Sequence, residues 1–321
     1  MDLLSRLLAL TPVSGTLDVR CHFGAPWHLQ QGPAAPDEMP YHVLLEGEAV
    51  LDDPQGPGHT PLQAGDIVLF PQGQAHALHD GSGRTAGPVE QAPSRALSIA
   101  RNDGPGAPAD ILCGRFRLQA PSGRLLRDFL PPRLIVSSRP APGEADDGRL
   151  ARLVGLMREE ALEEGPGSAA VIGHLSAALF ALALRHASRA HSAPRGVLAL
   201  ARHARLQPAL MAMFDRPEHG WTLPELAALC HLSRATLLRQ FQEVAGRSPA
   251  GLLLEIRMAR AMRLLAQPGP AVAAVGEAVG YQSEAAFQRA FKRLAGQTPA
   301  KWRAATLRQA SPPGMARRGG A

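Results

Sequence analysis

A chain of 321 residues, 45% apolar and 19% charged, has the apolar content for two or three globular cores and too little charge to be disordered throughout. Three cysteines in that length do not make a disulfide scaffold. The net charge of +6 hides an asymmetry: residues 195–321 carry 18 Arg and Lys against 7 Asp and Glu, whereas residues 1–194 carry 16 against 21, so only the C-terminal part has the electrostatic footprint of a DNA-binding module.

In chain order, Met1-Asp2-Leu3-Leu4-Ser5-Arg6 lacks a basic region followed by a long apolar run, so no signal peptide is expected. Residues 3–10 read as a short apolar helical lead-in. From about Thr16 to Ile135, short strands alternate with Gly and Pro, among them Tyr41–Leu45, Glu48–Asp52, Ile67–Phe70 and Ile111–Leu118. That pattern predicts a sandwich or small barrel. Residues 81–108 hold nine Gly and Pro and little periodicity, which predicts an exposed, mobile loop.

Asp146-Asp147 opens a helical stretch with Leu150, Leu153, Val154 and Met157 on one face. Gly165-Pro166-Gly167 breaks it, and Ser168 is placed to cap a second helix striped by Val171, Ile172, Leu175, Leu179 and Leu182. The pair is expected either to cover the barrel or to form a dimer seam. Ala169–Leu184, the longest apolar stretch, is interrupted by Gly173, His174 and Ser176 and is short for a membrane span, so a cytoplasmic protein without a membrane partner is expected. Ser192-Ala193-Pro194-Arg195-Gly196 reads as a linker, Leu206–Phe214 as a further helix, and the chain beyond Arg308 as a disordered tail.

The stretch from Trp221 to Trp302 contains one motif twice. Ser233, Phe241, Gly246 and Pro249 recur 50 residues later as Ser283, Phe291, Gly296 and Pro299. Each copy runs from an apolar helix (Leu223–Cys230; Val272–Val279) through a short turn to a Ser placed to N-cap a second helix ending at Ala245 or Ala295. Leu226, Leu229, Leu237 and Phe241 in one copy, and Val275, Val279, Phe287 and Phe291 in the other, fall at helical spacing and predict that the two helices of each unit pack together. Helix, tight turn, helix presents its second helix to a major groove.

This duplicated unit, with Leu253–Leu265 as a connecting helix, resembles the AraC/XylS family of transcription regulators over roughly Leu206–Arg303. The resemblance rests most on Gly280-Tyr281-Gln282-Ser283-Glu284-Ala285-Ala286-Phe287, then Phe291-Lys292-Arg293 and Gly296-Gln297-Thr298-Pro299. It implies two helix-turn-helix subdomains on one linker helix, a double-stranded DNA operator, activation, and RNA polymerase as a further partner. Two positions depart from the pattern. His231 stands in the first turn where Gly is frequent, and His tolerates left-handed geometry better than most residues. Gly276 replaces a usual Ala, which costs the helix up to about 1 kcal/mol but permits close packing.

Base-reading candidates follow from the solvent side of each second helix: Arg234, Ala235, Leu238 and Arg239, with Thr236 near the phosphate edge, then Glu284, Ala285, Gln288 and Arg289. Arg suits guanine, Gln adenine, Glu cytosine, and Ala or Leu a thymine methyl. Lys292, Arg293, Lys301 and Arg303 are assigned to phosphates.

In the first half, Gly65, Pro71, Gly73 and His76 stand at the spacing of the second signature of cupins, small barrels whose interior often holds a ligand or metal. The first signature is degenerate: His42 and Glu46 are present, but Pro40 stands where another metal-binding His is usual. His42, Glu46 and His76 could form a facial set of two His and one carboxylate, although a barrel histidine is more often a hydrogen-bonded core residue, and neither a metal nor another cofactor is assigned. Cys21 in Arg20-Cys21-His22-Phe23-Gly24 and Cys113 in Cys113-Gly114-Arg115-Phe116, with the start Asp2-Leu3-Leu4-Ser5-Arg6, are similar to the sensor half of reactive-chlorine-specific AraC-type activators. That resemblance implies that oxidation of Cys21 and Cys113 switches DNA binding. Arg20, His22 and Arg115 flank the cysteines in sequence and would favour thiolate if they are also near in space. Free cysteines are otherwise usually small buried apolar residues, the reading taken for Cys230.

The expected architecture is multidomain α+β: a cupin-like β-barrel sensor over 1–140, a helical connector and possible homodimer segment over 141–195, an all-α tandem helix-turn-helix domain over 204–306 and a disordered tail over 307–321. Regulation rather than catalysis is expected. The sensor's signal stays open among an oxidant, a small organic effector and, in a third reading, metal-dependent cupin chemistry.

Overall fold

The computed structural model describes residues 2–54, 58–94, 96–118, 127, 130–139, 148–163, 165–189 and 197–310, and the chain divides into two units. The first begins with helix α1 (Leu3–Leu10), followed by eleven strands: β1 (Val13–Gly24), β2 (His28–Gln31), β3 (Glu38–Glu46), β4 (Glu48–Asp53), β5 (Gly58–Gln63), β6 (Asp66–Leu69), β7 (His76–His79), β8 (Glu90–Pro93), β9 (Ser98–Arg101), β10 (Pro108–Leu118) and β11 (Leu134–Ser137). They form a seven-stranded sheet ordered β11-β6-β3-β10-β1-β9-β8 and a four-stranded sheet ordered β2-β7-β4-β5. Among the described residues the ladder is two sheets rather than one closed ring.

Period-two alternation gives the larger sheet two apolar faces. Cys21, Leu44, Val68, Phe70 and Ile111 point inward to meet Leu51, Leu62 and Leu78 of the smaller sheet. Tyr41, Val43, Leu69, Leu112 and Phe116 point outward, where helices α2 (Arg149–Glu163) and α3 (Ser168–Arg189) cover them. A bulge between Leu17 and Val19 shifts the register of β1, so Leu17 faces the helices while Cys21 faces the interior.

The helical pair therefore covers the sheet: Leu150, Leu153, Val154, Met157, Ile172, Leu179 and Leu184 all enter this core. By length and composition Ser168–Ser188 would suffice to cross a membrane, but its Leu179, Phe180, Ala183 and Leu184 are sealed in protein. Ser168 does not cap α3; it lies inside the helix, its Oγ buried without a partner. The expected loop over 81–108 is also corrected. Residues 81–94 are largely exposed, but β8 and β9 form, and β9 joins the sheet parallel to β1 from Val19↔Ser98 to His22↔Arg101. Backbone pairing to a strand about 80 residues away leaves no local period to read. Asp146, Asp147 and the linker Ser192–Gly196 lie outside the described residues.

The second unit is helical: α5 (Gln207–Asp215), which follows the short α4 (Val197–Arg202), then α6 (Leu223–Leu229), α7 (Arg234–Ala245), α8 (Pro249–Leu265), α9 (Val272–Ala278), α10 (Glu284–Ala295) and α11 (Pro299–Ala310). Of the expected tail, residues 307–310 continue α11, and the remainder is outside the described residues. Helix α8 starts earlier than expected because Ser248 caps it, accepting from the Gly251 N–H, with Pro249 in its first turn. Its apolar positions, including Leu252, Ile256, Met258 and Met262, are buried, and it packs against both α5 and α9.

Candidate nucleic-acid interface and thiol site

The two copies close their turns by the same bonds. Leu232 N–H donates to Ala227 C=O and His231 N–H to Ala228 C=O; in the second copy Tyr281 donates to Gly276 and Gly280 to Glu277. This is a Schellman closure, which demands a left-handed residue after the helix. His231 supplies it at φ 51° and Gly280 at φ 88°. Ser233 Oγ then accepts from Thr236 N–H (3.2 Å) and Ser283 Oγ from Ala286 N–H (3.3 Å), starting α7 and α10. A capping box between Thr222 and Glu225 starts α6; the Thr-x-x-Glu spacing before the apolar run was the legible signal for it.

Leu226, Leu237 and Phe241, and Val275, Val279, Phe287 and Phe291, pack inside their units as expected. Leu229 does not: it is 39% exposed, and Cys230 takes the buried position after it. A Cβ on Gly276 would lie 3.1 Å from the Phe287 ring, which accounts for glycine where α9 crosses α10.

With those faces buried, Arg234, Ala235, Leu238 and Arg239 lie on the exposed side of α7, and Glu284, Ala285, Gln288, Arg289 and Lys292 on that of α10. Thr236 is half-buried beside its cap. Arg239 is held by Glu243 at 3.0 Å, and the Gln288 amide donates to Glu284 at 2.8 Å. Arg303, assigned above to phosphate, is half-buried and spends a nitrogen on the Pro270 carbonyl. Arg293 and Lys301 are exposed.

In the first unit, Cys21 of β1 and Cys113 of β10 are free, with their sulfurs 3.9 Å apart. They are diagonal neighbours: Cys21 pairs in register with Ile111, and Cys113 with Val19. Cys113 also contacts His42 Nδ1 (3.1 Å), whose Nε2 lies 2.7 Å from His76 Nε2, while His76 Nδ1 lies 2.9 Å from the Gln74 carbonyl. Phe70 stacks on the His76 ring at 3.5 Å and holds it in place.

One end of this chain fixes the protons of the rest. A carbonyl only accepts, so His76 Nδ1 bears hydrogen and its Nε2 accepts. His42 must then donate from Nε2, which leaves Nδ1 bare to accept the Cys113 S–H. The rings are neutral: burial and then His76 push His42 down to about 3, and burial lowers His76 as well. Contact with Cys21, then burial, raises Cys113 well above the usual thiol range.

The expected thiolate-favouring cations are spent elsewhere. Arg20 lies in a buried pair with Asp110 (2.7 Å), Arg115 binds Asp18 (2.7 Å) and Glu38 (3.1 Å), and His22 faces Asp110 at 3.6 Å. Strand alternation turns Arg20 and His22 away from the Cys21 side. Cys230 is buried in the helical unit, and burial raises its thiol.

The set His42, Glu46 and His76 does not assemble, because Glu46 is exposed at the end of β3. A different group lies on the smaller sheet, where Asp52 accepts from His59 Nδ1 (2.5 Å) and His79 Nε2 (3.2 Å). Gly81 N–H donates to His79 Nδ1 (3.0 Å), so the neutral ring's proton sits on Nε2, and a metal at that nitrogen would have to break the Gly81 bond.

A family model described as a helix-turn-helix domain matches residues 226–305, and one described as a cupin matches residues 2–189. The chain is 31% identical to the RCS-specific HTH-type transcriptional activator RclR of Escherichia coli (strain K12), over 97% of its own length and 100% of that relative. The chain belongs to the AraC/XylS family. This regulator is also 28% identical to the HTH-type transcriptional regulator MtrA of Neisseria gonorrhoeae and 28% identical to a putative AraC-like transcription regulator of Streptomyces antibioticus, each over 94% of this chain and 98% of the relative. Its cupin half carries the thiol pair, and its helix-turn-helix half carries the exposed faces of α7 and α10.

Proposed function

We propose that this regulator is a cytoplasmic transcription activator that reads an electrophilic oxidant of the hypochlorous acid class through Cys21 and Cys113. The observation that carries the reading is the 3.9 Å approach of two free sulfurs on adjacent strands inside the cupin unit, and the RCS-specific activator to which the chain is similar supports it. A disulfide needs its sulfurs about 2.0 Å apart, and diagonal strand neighbours reach that distance only if β1 and β10 shift locally. Linking residues 92 apart is worth about 4–5 kcal/mol of loop-closure entropy, enough to exchange one population for another.

DNA is bound by α7 and α10, with Arg234, Ala235, Leu238, Arg239, Glu284, Ala285, Gln288 and Arg289 at base edges, Thr236 near the phosphates and Lys292 on them. Residues 1–140 serve as the sensor, 141–195 as the connector and 204–306 as the DNA-binding domain. RNA polymerase is the further partner. Leu156, Leu162 and Val171, exposed on α2 and α3, offer a homodimer surface. The cupin unit acts as a sensor and not as an enzyme. A second reading, a small organic effector, draws on a cavity of about 380 Å³ lined by His28, Gln30, His59 and His76.

The test is non-reducing mass spectrometry of thiols, paired with operator-fragment binding, before and after brief hypochlorous acid. A Cys21–Cys113 link accompanied by altered binding is expected. Free thiols with unchanged binding would overturn the redox reading and leave the effector reading standing.

A further inference from the structure

The two cysteines are not equivalent. Cys21 is fully buried, and among the described residues the Cys113 sulfur is the sole hydrogen-bond partner of its side chain. Cys113 is partly exposed and touches both Cys21 and the bare nitrogen of His42. From His42 the contacts continue to His76, which lines the open cavity of about 380 Å³. Arg20, Arg115 and His22 are all turned to carboxylates. Among the described residues the pair thus has a proton acceptor on one side only.

We infer that Cys113 is the sulfur attacked first, that His42 Nδ1 takes its proton, and that the relay from His42 to His76 delivers that proton to the cavity. The inference rests on the redox reading above and assigns its chemistry. The Cys113 sulfur attacks the chlorine of hypochlorous acid; the S–Cl bond forms and the Cl–O bond breaks. The thiol proton passes to His42 Nδ1 as the Nε2 proton of His42 passes to His76; His76 releases one proton to solvent in the cavity, and the departing hydroxide takes one proton from solvent to become water. Cys21 then attacks the Cys113 sulfur, the S–Cl bond breaks, chloride leaves, and the Cys21 proton is released. The net change is two thiols and one hypochlorous acid to one disulfide, water and hydrogen chloride. His42 touches the reacting sulfur; His76, held by Gln74 and stacked on Phe70, is a positioning residue that sets the tautomer of His42.

The test uses the full chain with one cysteine of the pair replaced, limiting hypochlorous acid, and dimedone to trap the sulfenic acid left when the S–Cl bond hydrolyses. In Cys21→Ser, Cys113 should be trapped about tenfold or more faster than Cys21 is in Cys113→Ser, because a general base contributes at least that much. In Cys21→Ser/His42→Asn the amide oxygen keeps an acceptor near the sulfur without imidazole basicity, and trapping of Cys113 should slow by about tenfold or more. Equal trapping of Cys113 in Cys21→Ser and of Cys21 in Cys113→Ser would overturn the inference, as would an unchanged rate in a folded His42→Asn chain. The comparison of the two Cys→Ser chains stands alone if His42→Asn misfolds. A wild-type chain that forms no Cys21–Cys113 link at all would instead defeat the redox reading itself.

Discussion

The duplicated turn offers a paired perturbation with opposite expected signs. His231 and Gly280 occupy the same left-handed site after α6 and α9. In the first copy, His231→Gly removes a conformational penalty of about 1–2 kcal/mol and adds back about 0.5–1 kcal/mol of backbone entropy, so a small net gain, about 0.5–1 kcal/mol, is expected. In the second copy, Gly280→Ala incurs the same penalty and adds a collision. A Cβ there would sit 2.3 Å from the Glu218 carbonyl oxygen and 2.8 Å from Arg257 Nη2. That guanidinium donates to Pro217 (2.6 Å) and His219 (2.9 Å) carbonyls and holds the preceding loop on α8. Disturbing charge-assisted bonds costs about 1.5–3 kcal/mol, so the total expected for Gly280→Ala is about 2–4 kcal/mol. Hydrogen exchange in the full-length chain reads both locally: α6–α7 should exchange about two- to fivefold more slowly in His231→Gly, and α9–α10 about 30-fold or more faster in Gly280→Ala. Faster exchange of α6–α7 in His231→Gly, or wild-type exchange in Gly280→Ala, would refute the argument that the Schellman turn sets local stability.

Arg289→Ala should weaken specific operator binding by about 1–3 kcal/mol in a fluorescence titration, with a larger loss on the cognate sequence than on random DNA. Equal losses on both would place Arg289 at a phosphate instead. Between pH 6.5 and 5 the sensor unit should lose stability. The folded pKa of His42 is depressed to about 3, so below the unfolded value of about 6.5 only the unfolded chain takes up the proton. One ring kept neutral gives a loss of about 1.6 kcal/mol across that window and only about 0.4 kcal/mol above it, with His76 acting in the same direction. Thermal melts of wild type and His42→Asn should therefore diverge on acidification, and parallel profiles would overturn this assignment.

The sequence by itself determined the DNA-binding unit, because every determinant there is local. Ser233 and Ser283 cap helices a few residues away, the turn bonds span at most five residues, and Phe241 and Phe291 mark the buried face at helical spacing. Where it misled, at Leu229, the cause was a terminal turn in which a neighbouring residue took the inward position. In the sensor the cupin signature and the two cysteines were legible in the sequence, but tertiary structure alone decided the contacts between them. His42, His76, Cys21 and Cys113 come from four strands, and a bulge at Leu17/Val19 sets which face Cys21 takes. Without that register His42 and His76 fit a facial ligand set or a pair of hydrogen-bonded core histidines equally by spacing, and nothing links them to Cys113. Within it, the Gln74 carbonyl orders their protons and aims the bare imidazole nitrogen at Cys113. The charges of Arg20 and Arg115, which suggested thiolates by adjacency in sequence, are spent for two reasons: strand alternation turns Arg20 away from Cys21 and towards Asp110, and Arg115, on the same face of β10 as Cys113, is held by Asp18 and Glu38.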